Sequence, residues 1–407
     1  MQEFLGAHRW DHGRLRDRLQ QLVAHDHASE HSVGTLDDCG CPKKGDKTPG
    51  VQRQYCGATG KVDNCVVTVH LGYAAGDFHC LLDSELYLPE SWAADRRRCR
   101  EAGIPDELTY RPKWAIALGL YDRAVANGVR FAWLTFDEGY GGKPGLLRAL
   151  RQRRQRYVAA VPCTFSGWLG LPALTAAGRW AGEPARAVQE LLACDPRLVE
   201  RPWAAYRVKE GHKGPLVWEV KHAFLFPRRE DGDPGRPVHL VVARYALDRA
   251  EVKYFVSNAP PGAPVETLLL VAFSRWRIER LFEDSKSELG LDHFEVRRYG
   301  SITRHLLLTC VSHLFLAEFV QARRGKKSRA DRVPGANGHA RPRARVAPRR
   351  TLLAPPGRNH RGAIGDNPAT KCRRSPQPSQ ANAATIEGHR NHDPRATHLS
   401  VANEVAL

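Results

Sequence analysis

The stretch SRWRIERLFEDSKSELGLDHFEVR, residues 274–297, has the pattern of a helix that buries one side and stops at Gly290. Its apolar residues recur at helical spacing, at Ile278, Leu281, Phe282 and Leu289. Beside them, Arg275, Glu279 and Lys286 lie within roughly 40° of one another on a helix that turns about 100° per residue. Such a row is commonly a solvated face with weak ion pairs. The rest of the chain decides whether this row has another role.

The length and composition predict a cytoplasmic protein with no membrane partner. Its 407 residues, 42% of them hydrophobic, can bury a large core in two or three domains. No apolar run reaches the roughly 20 residues that span a bilayer, and residues 1–20 have the pattern of an amphipathic helix rather than a signal peptide. The ten cysteines form no Cys-x-x-Cys pair, which favours reduced, packed thiols over a zinc site at Cys39 and Cys41.

The charge of the chain indicates an anionic partner, most often nucleic acid. The net charge is +18, of which residues 321–407 carry +13 and the first 320 residues +5. From residue 323 onward the chain has no aromatic residue and few aliphatic ones. We therefore expect residues 323–407 to be a disordered basic tail. This tail either binds nucleic acid nonspecifically or has no selected role.

The order of strand and helix patterns predicts an α/β fold, a ribonuclease-H-like mixed sheet with flanking helices. Strand patterns occur at 34–38, 64–74, 77–89, 129–142 and 157–162, with helical patterns at 112–128 and 143–156. Residues 165–262 then contain three strand patterns between polar turns, which predicts a β-rich insertion. Helical patterns return at 264–289 and 301–322. In a sheet of this order, the first and fourth strands are neighbours.

Three acidic residues stand where such a sheet can bring them together. Asp37 closes the first strand pattern, Asp137 closes the fourth, and Glu279 lies on the helix after the insertion. Alone, Asp37 and Asp137 can equally be a turn residue and a strand cap. Clustered carboxylates repel one another and need a cation. Two Mg²⁺ ions about 3.5–4 Å apart would supply it and would bind both oxygens of an in-line phosphoryl displacement.

The block around Glu279 resembles the third catalytic block of DDE transposases from bacterial insertion sequences. That block reads Tyr, two residues, Arg, three residues, Glu, six residues, Lys. Arg275, Glu279 and Lys286 match its Arg, Glu and Lys, while Ala272 stands at the Tyr position with Phe273 beside it. The segments LDDCGCPKKG (36–45) and FDEGYG (136–141) resemble the first and second blocks of the family. The resemblance covers residues 1–322.

The resemblance implies a metal site, DNA contacts and partners. Asp37, Asp137 and Glu279 would bind two Mg²⁺ ions, for which Mn²⁺ can substitute, and Asp38 is the rival for the first position. DNA contacts are expected from Arg275, Lys286, Lys43 and Lys44. The implied partners are the terminal repeats of the element, target DNA and a second copy of the chain in the DNA complex. The expected location is the bacterial cytoplasm, at the nucleoid.

The resemblance also assigns parts to the chain. Residues 1–30 would be the remnant of an N-terminal helical DNA-binding region, 31–164 and 263–322 the two parts of the catalytic core, 165–262 the insertion and 323–407 the tail. Within the insertion, Trp203 and Trp218 are candidates to hold a flipped base, although a core role is favoured for both.

The implied activity is metal-dependent cleavage and strand transfer of DNA for an insertion sequence. Only 36 residues precede Asp37, fewer than in relatives, and the tail does not resemble a family C-terminus. A truncated or decayed copy therefore stays open, as does a non-catalytic DNA-binding fragment. A stand-alone ribonuclease-H-like nuclease is disfavoured by the large insertion.

Overall fold

A computed structural model describes residues 2–8, 10–176, 180–211 and 214–330 of the chain. The strands are β1 (Val33–Pro42), β2 (Gln52–Cys56), β3 (Lys61–Ala75), β4 (Phe78–Leu86), β5 (Trp133–Phe136), β6 (Tyr157–Val161), β7 (Ser166–Trp168), β8 (Ala173–Leu174), β9 (Trp180–Ala181), β10 (Arg186–Ala187), β11 (Ala204–Gly211), β12 (Gly214–Pro227), β13 (Val238–Tyr245) and β14 (Val252–Ser257). The helices are α1 (Gln2–Gly6), α2 (His12–Asp26), α3 (Glu90–Ala94), α4 (Arg96–Glu101), α5 (Lys113–Ala126), α6 (Glu138–Gly141), α7 (Pro144–Gln152), α8 (Val188–Cys194), α9 (Pro196–Val199), α10 (Val265–Ser274), α11 (Trp276–Ser287) and α12 (Tyr299–Ala330).

The central sheet confirms the predicted ribonuclease-H-like mixed order. β3 lies between β4 and β1 and is antiparallel to both. β1 is parallel to β5, and β5 is parallel to β6. The apolar run of β3 is buried on both faces, as expected for a strand in the middle of a covered sheet. The sequence patterns did not indicate β2, which pairs with the start of β3.

The strands of the predicted insertion continue this sheet. β14 pairs antiparallel with β6, and β13, β12 and β11 follow it in turn. The domain boundaries at 165 and 262 stay predictions. Trp218 is only 3% exposed, and its ring centre lies 4.8 Å from that of Phe273 at a tilt of 41°, which agrees with a core role. The half-buried Trp203 ring lies 4.0 Å from the Arg244 guanidinium.

The N-terminal pattern contains two helices where a single one was expected. The chain restarts at α2, where the Asp11 carboxylate accepts a hydrogen bond of 2.9 Å from the Arg14 backbone N–H. A side-chain acceptor at this position satisfies one of the unpaired N–H groups that begin a helix. Leu19 and Val23 of α2 are buried in the main core.

The helix predicted over 264–289 is interrupted at Arg275. α10 packs Leu268 into a cluster with Trp133, whereas α11 buries Ile278 and Leu281 elsewhere in the core. α11 lies directly on β3 at Gly72, where a Cβ atom would stand 2.8 Å from Leu281 Cδ1. Because of the interruption, α10 and α11 pack against different parts of the core. Gly72 allows α11 to approach β3 closely.

The last helix, α12, is longer than predicted and has an apolar segment of membrane-spanning length. It continues to Ala330, so residues 323–330, assigned to the disordered tail, are helical. Residues 331–407 lie outside the described part of the chain, which leaves the rest of the tail prediction untested. The segment Tyr299–Arg323 is long and apolar enough to cross a membrane. A core helix of a soluble protein meets the same criteria, and Ile302, Leu306 and Cys310 are buried in the cores.

Candidate active site

The carboxyl ends of two parallel strands bring Asp37 and Asp137 side by side. Leu36 of β1 is paired with Phe136 of β5, and each aspartate is the next residue in its chain. Neighbouring strands are about 4.8 Å apart, so the two carboxylates lie at adjacent positions of the sheet. The sequence predicted that Asp37 closes the first strand. This prediction was wrong, because β1 continues to Pro42. Asp137 does follow the end of its strand.

A short helical turn orients Asp137. The residue is the N-cap of α6, and its carboxylate accepts a hydrogen bond of 3.2 Å from the Tyr140 backbone N–H. The other end of this turn lies against β6 at Gly141. A Cβ atom there would overlap the carbonyl oxygen of Ala160. Glycine thus permits the close contact that fixes the turn, and with it the direction of the Asp137 side chain.

Glu279 is joined to Asp37 through Arg275. One guanidinium nitrogen of Arg275 lies 3.3 Å from Asp37 Oδ2, and the other lies 2.8 Å from Glu279 Oε1. The side chain of Asp37 is 17% exposed and that of Glu279 is 63% exposed, so the aspartate forms the floor of the site and the glutamate its rim. Arg275 therefore forms ion pairs with two of the three predicted carboxylates, and its charge also favours the ionised form of Asp137.

The electrostatics of this site disfavour its negative charge. Burial raises the pKa of Asp37 well above its ordinary value, the neighbouring Asp137 and Asp38 raise it further, and Arg275 opposes them. Burial likewise raises the pKa of Asp137, although the hydrogen bond from the Tyr140 N–H lowers it. The carboxylates are thus held where a positive partner would stabilise their charged forms.

The aspartates at positions 37 and 38 have different partners. The Asp38 carboxylate forms an ion pair of 3.0 Å with Lys113 Nζ, whereas Asp37 contacts Arg275. This pairing with Lys113 gives Asp38 a cation of its own. The geometry agrees with Asp37 as the first member of the triad, and that assignment stays a prediction.

Tyr140 is a residue of the site that the sequence reasoning did not single out. Its hydroxyl is buried, and within the described ranges it makes no hydrogen bond of acceptable geometry. Burial raises the pKa of Tyr140 well above its usual value, and the carboxylates of Asp38, Asp37 and Asp137 add to that effect. The sequence signal that could have identified Tyr140 is its position between two glycines in FDEGYG. No sequence signal could have identified the ion pair between Lys113 and Asp38.

The other predicted DNA-binding residues are differently placed. Lys43 Nζ donates a hydrogen bond of 2.7 Å to the Phe294 carbonyl oxygen and lies 4.0 Å from the centre of that ring. Lys286 is half-buried near Cys39 and Cys41. Burial lowers its pKa, but Cys39, Cys41 and the Asp292 carboxylate together outweigh this effect, and the pKa is raised overall. Lys44 is exposed. Of the four predicted contacts, Lys44 is thus the most openly presented to solvent.

The carboxylate oxygens of this site are suitable ligands for a hard divalent cation. In the described ranges, however, the side chains are not arranged around a single metal position. Carboxylate oxygens are the ligands that such a cation prefers, and the raised pKa values of Asp37 and Asp137 indicate that positive charge would stabilise their ionised forms. Over the residues described, no three His, Cys, Asp or Glu side chains are close enough together to hold one metal ion. Glu279 is turned toward Arg275 instead. The thiols of Cys39 and Cys41 are buried and form no disulfide.

Comparison with known proteins agrees with the three sequence blocks. A family model described as DDE superfamily endonuclease matches residues 1–215, and one described as transposase DDE domain matches residues 117–315. A curated relative, the probable transposase for insertion sequence element IS701 of Microchaete diplosiphon, is 32% identical over 164 residues. The aligned part is 40% of this chain and 40% of the relative, so the match spans about two-fifths of that protein's length. The predicted resemblance to DDE transposases is confirmed.

Proposed function

Because this chain belongs to the DDE superfamily of endonucleases, we propose that it acts as the transposase of an insertion sequence, cleaving DNA at the ends of the element and joining it to a target. The observation that supports this proposal best is that Asp137 lies beside Asp37 on the neighbouring strand, while Arg275 joins Asp37 to Glu279 by ion pairs. A nuclease of this kind needs carboxylates at one point of the sheet, with a cation beside them. The named relative is a probable transposase as well.

The triad would hold two Mg²⁺ ions, for which Mn²⁺ can substitute. Asp37 and Asp137 would supply ligands from the floor of the site, and Glu279 would supply one after turning away from Arg275. When bound, such cations polarise the phosphodiester and stabilise the charge on both the attacking and the leaving oxygen. The buried Tyr140 hydroxyl lies beside the Asp38 carboxylate and would have to turn from it to donate a hydrogen bond to a ligand at the same point.

The residues around the triad would position the reacting DNA strand. Arg275, once released by Glu279, can donate two parallel hydrogen bonds to a phosphate. Lys113 keeps the Asp38 carboxylate engaged, which limits repulsion of the incoming phosphate. Water adds to phosphorus, the bond from phosphorus to the 3′ oxygen breaks, and that oxygen leaves as a hydroxyl. The free 3′ hydroxyl then attacks a phosphodiester of the target DNA, which forms one bond and breaks another.

The proposed partners are the terminal repeats of the element and the target DNA. The net charge of +18 supports binding to a polyanion, and a second copy of the chain would bring the two element ends together. We place this assembly in the bacterial cytoplasm, at the nucleoid.

The test compares two glutamates of α11. Glu279 and Glu283 have exposed side chains and each pairs with an arginine of the same region, at 2.8 Å to Arg275 and 3.3 Å to Arg280. Glu279→Gln should lower Mg²⁺-dependent cleavage of element-end DNA by at least about 100-fold, since a ligand of the reacting centre is lost. Glu283→Gln should cleave like the wild type.

Binding of the same DNA should change little in both variants, because phosphate contacts by Lys and Arg remain. Equal cleavage by the two variants would remove Glu279 from the reaction. A wild-type chain that binds element ends but cleaves with neither Mg²⁺ nor Mn²⁺ would instead favour the non-catalytic fragment.

A further inference from the structure

An arginine-rich groove lies at the sheet edge opposite the carboxylates. It has a volume of about 940 Å³, and its lining includes Arg151, Arg154, Arg156, Arg236, Phe224 and Phe226. Arg156 precedes β6, the neighbour of β5, whereas Asp137 follows the end of β5. Because β5 and β6 are parallel, the groove and the carboxylates are separated by the length of β5, roughly 13 Å for its four residues.

The four arginines of the groove have no carboxylate partner among the residues that the structure describes. Two arginines of the same helical region are paired: Arg153 forms an ion pair of 2.7 Å with Asp122, and Arg148 one of 3.0 Å with Glu230. The positive charge of the groove is therefore not neutralised within the described fold. Four guanidinium groups around one concave surface are suited to an anionic ligand with several phosphates.

Arg154 occupies a backbone position that favours glycine. Its φ of 56° makes it the one non-glycine residue with positive φ in the described ranges. It follows the end of α7, and the next residue, Gln155, donates its backbone N–H to the Leu150 carbonyl over 3.0 Å. Glycine is the usual residue at this kind of helix end, and a side chain there costs conformational energy. An arginine at this point is better explained by the use of its side chain than by the stability of the turn.

The floor of the groove is apolar and aromatic. Phe224 is 38% exposed although it lies on a strand of the central sheet. Pro237, Pro260 and Pro261 complete the apolar lining. A duplex presents its phosphates to a surface but keeps its bases stacked inside. An unpaired strand can place a base on an aromatic ring while arginines bind the phosphates on either side.

We propose that this groove binds single-stranded DNA, as a second nucleic-acid site separate from the carboxylates. The proposal extends the proposed function, since a strand released at the element end would need a place away from the reacting centre. It concerns binding alone and can be tested on protein that cannot cleave.

The first experiment measures binding of a 20-nucleotide single strand by the full chain over a salt series. Arg154→Gly should weaken binding severalfold and reduce the salt slope by about 0.7, the value for one lost phosphate contact on a single strand. The same variant should melt at the wild-type temperature or above, because glycine relieves the backbone. Arg153→Gln, which removes a paired arginine next to it, should leave the salt slope unchanged.

The second experiment tests the aromatic floor. Phe224→Ala should weaken binding of the single strand by about fivefold or more, from the loss of one stacked base, and affect a blunt duplex much less. An unchanged salt slope in Arg154→Gly would overturn the proposal, and so would equal losses for duplex and single strand in Phe224→Ala. If Glu279→Gln cleaved like the wild type, the proposed cleavage site would be refuted, but the binding results for the groove would still stand. The cleavage proposal and the groove proposal can therefore be refuted independently.

Discussion

Replacing Gly141 by alanine should damage both the stability of the fold and the reacting centre. The glycine closes the α6 turn that begins at Asp137, and this turn lies against the backbone of β6. A Cβ atom at this position would overlap the Ala160 carbonyl oxygen and stand 2.9 Å from its carbonyl carbon. Ala160 cannot withdraw easily, because it is paired with Phe255 of β14. The turn itself must therefore move away from the sheet.

The size of the effect follows from this contact with the backbone. Overpacking in a core costs about 1–3 kcal/mol, and the upper end applies where no side chain can rotate aside. A loss of about 3 kcal/mol changes the folding equilibrium roughly 150-fold and lowers the melting temperature of a folded chain of this size by about 4 °C. Asp137 would shift with the turn. A displacement of about 1 Å at a reacting centre can reduce the rate about 100-fold.

Thermal unfolding and Mg²⁺-dependent cleavage should be measured for Gly141→Ala and for a matched control. Gly262→Ala is that control, because a Cβ atom at Gly262 meets nothing within 4 Å. We expect the control to behave like the wild type in both assays. Gly141→Ala with a wild-type melting temperature and wild-type cleavage would show that the turn does not orient Asp137.

Two further predictions concern charge. The raised pKa of Asp37 means that the metal-free fold binds more protons than the unfolded chain, so its free energy of unfolding should fall as pH rises from about 3.9 through the raised value. Asp37→Asn should flatten this fall in EDTA and reduce the rise in melting temperature that we expect Mg²⁺ to give the wild type; an unchanged pH profile would contradict the assignment. If Lys286 contacts a phosphate of duplex DNA, Lys286→Ala should reduce the salt slope of binding by about 0.9. No change in slope would instead leave Lys286 as a partner of Cys39, Cys41 and Asp292.

The strand order and the carboxylate positions could be predicted because they depend on patterns along the chain. The apolar runs and their spacing indicated β1 and β5, and the rule that they are neighbours placed Asp37 beside Asp137. The spacing of the third block identified Glu279. These predictions needed no knowledge of side-chain direction.

The partners of the cations could not be predicted in the same way. Helical spacing correctly puts Lys286 on the same helix side as Glu279, but the proximity of Lys286 to Cys39 depends on how α11 packs against β1. Lys43 bonds to the Phe294 carbonyl, a residue 251 positions away in the chain. Such long-range pairs depend on how the elements pack, and a single sequence gives no measure of that.

The charge of the site also explains why a nuclease of this kind would depend on cations. The whole chain carries +18, which attracts the DNA backbone, whereas Asp37, Asp137 and Glu279 outnumber the one arginine between them. A phosphate drawn to the protein would meet repulsion at the point where it must react. Divalent cations at the triad would reverse the sign of the local charge and free Arg275 to bind the phosphate. Cleavage would then depend on metal ions for two reasons, because they allow the phosphate to bind beside the carboxylates and because they assist the chemical step.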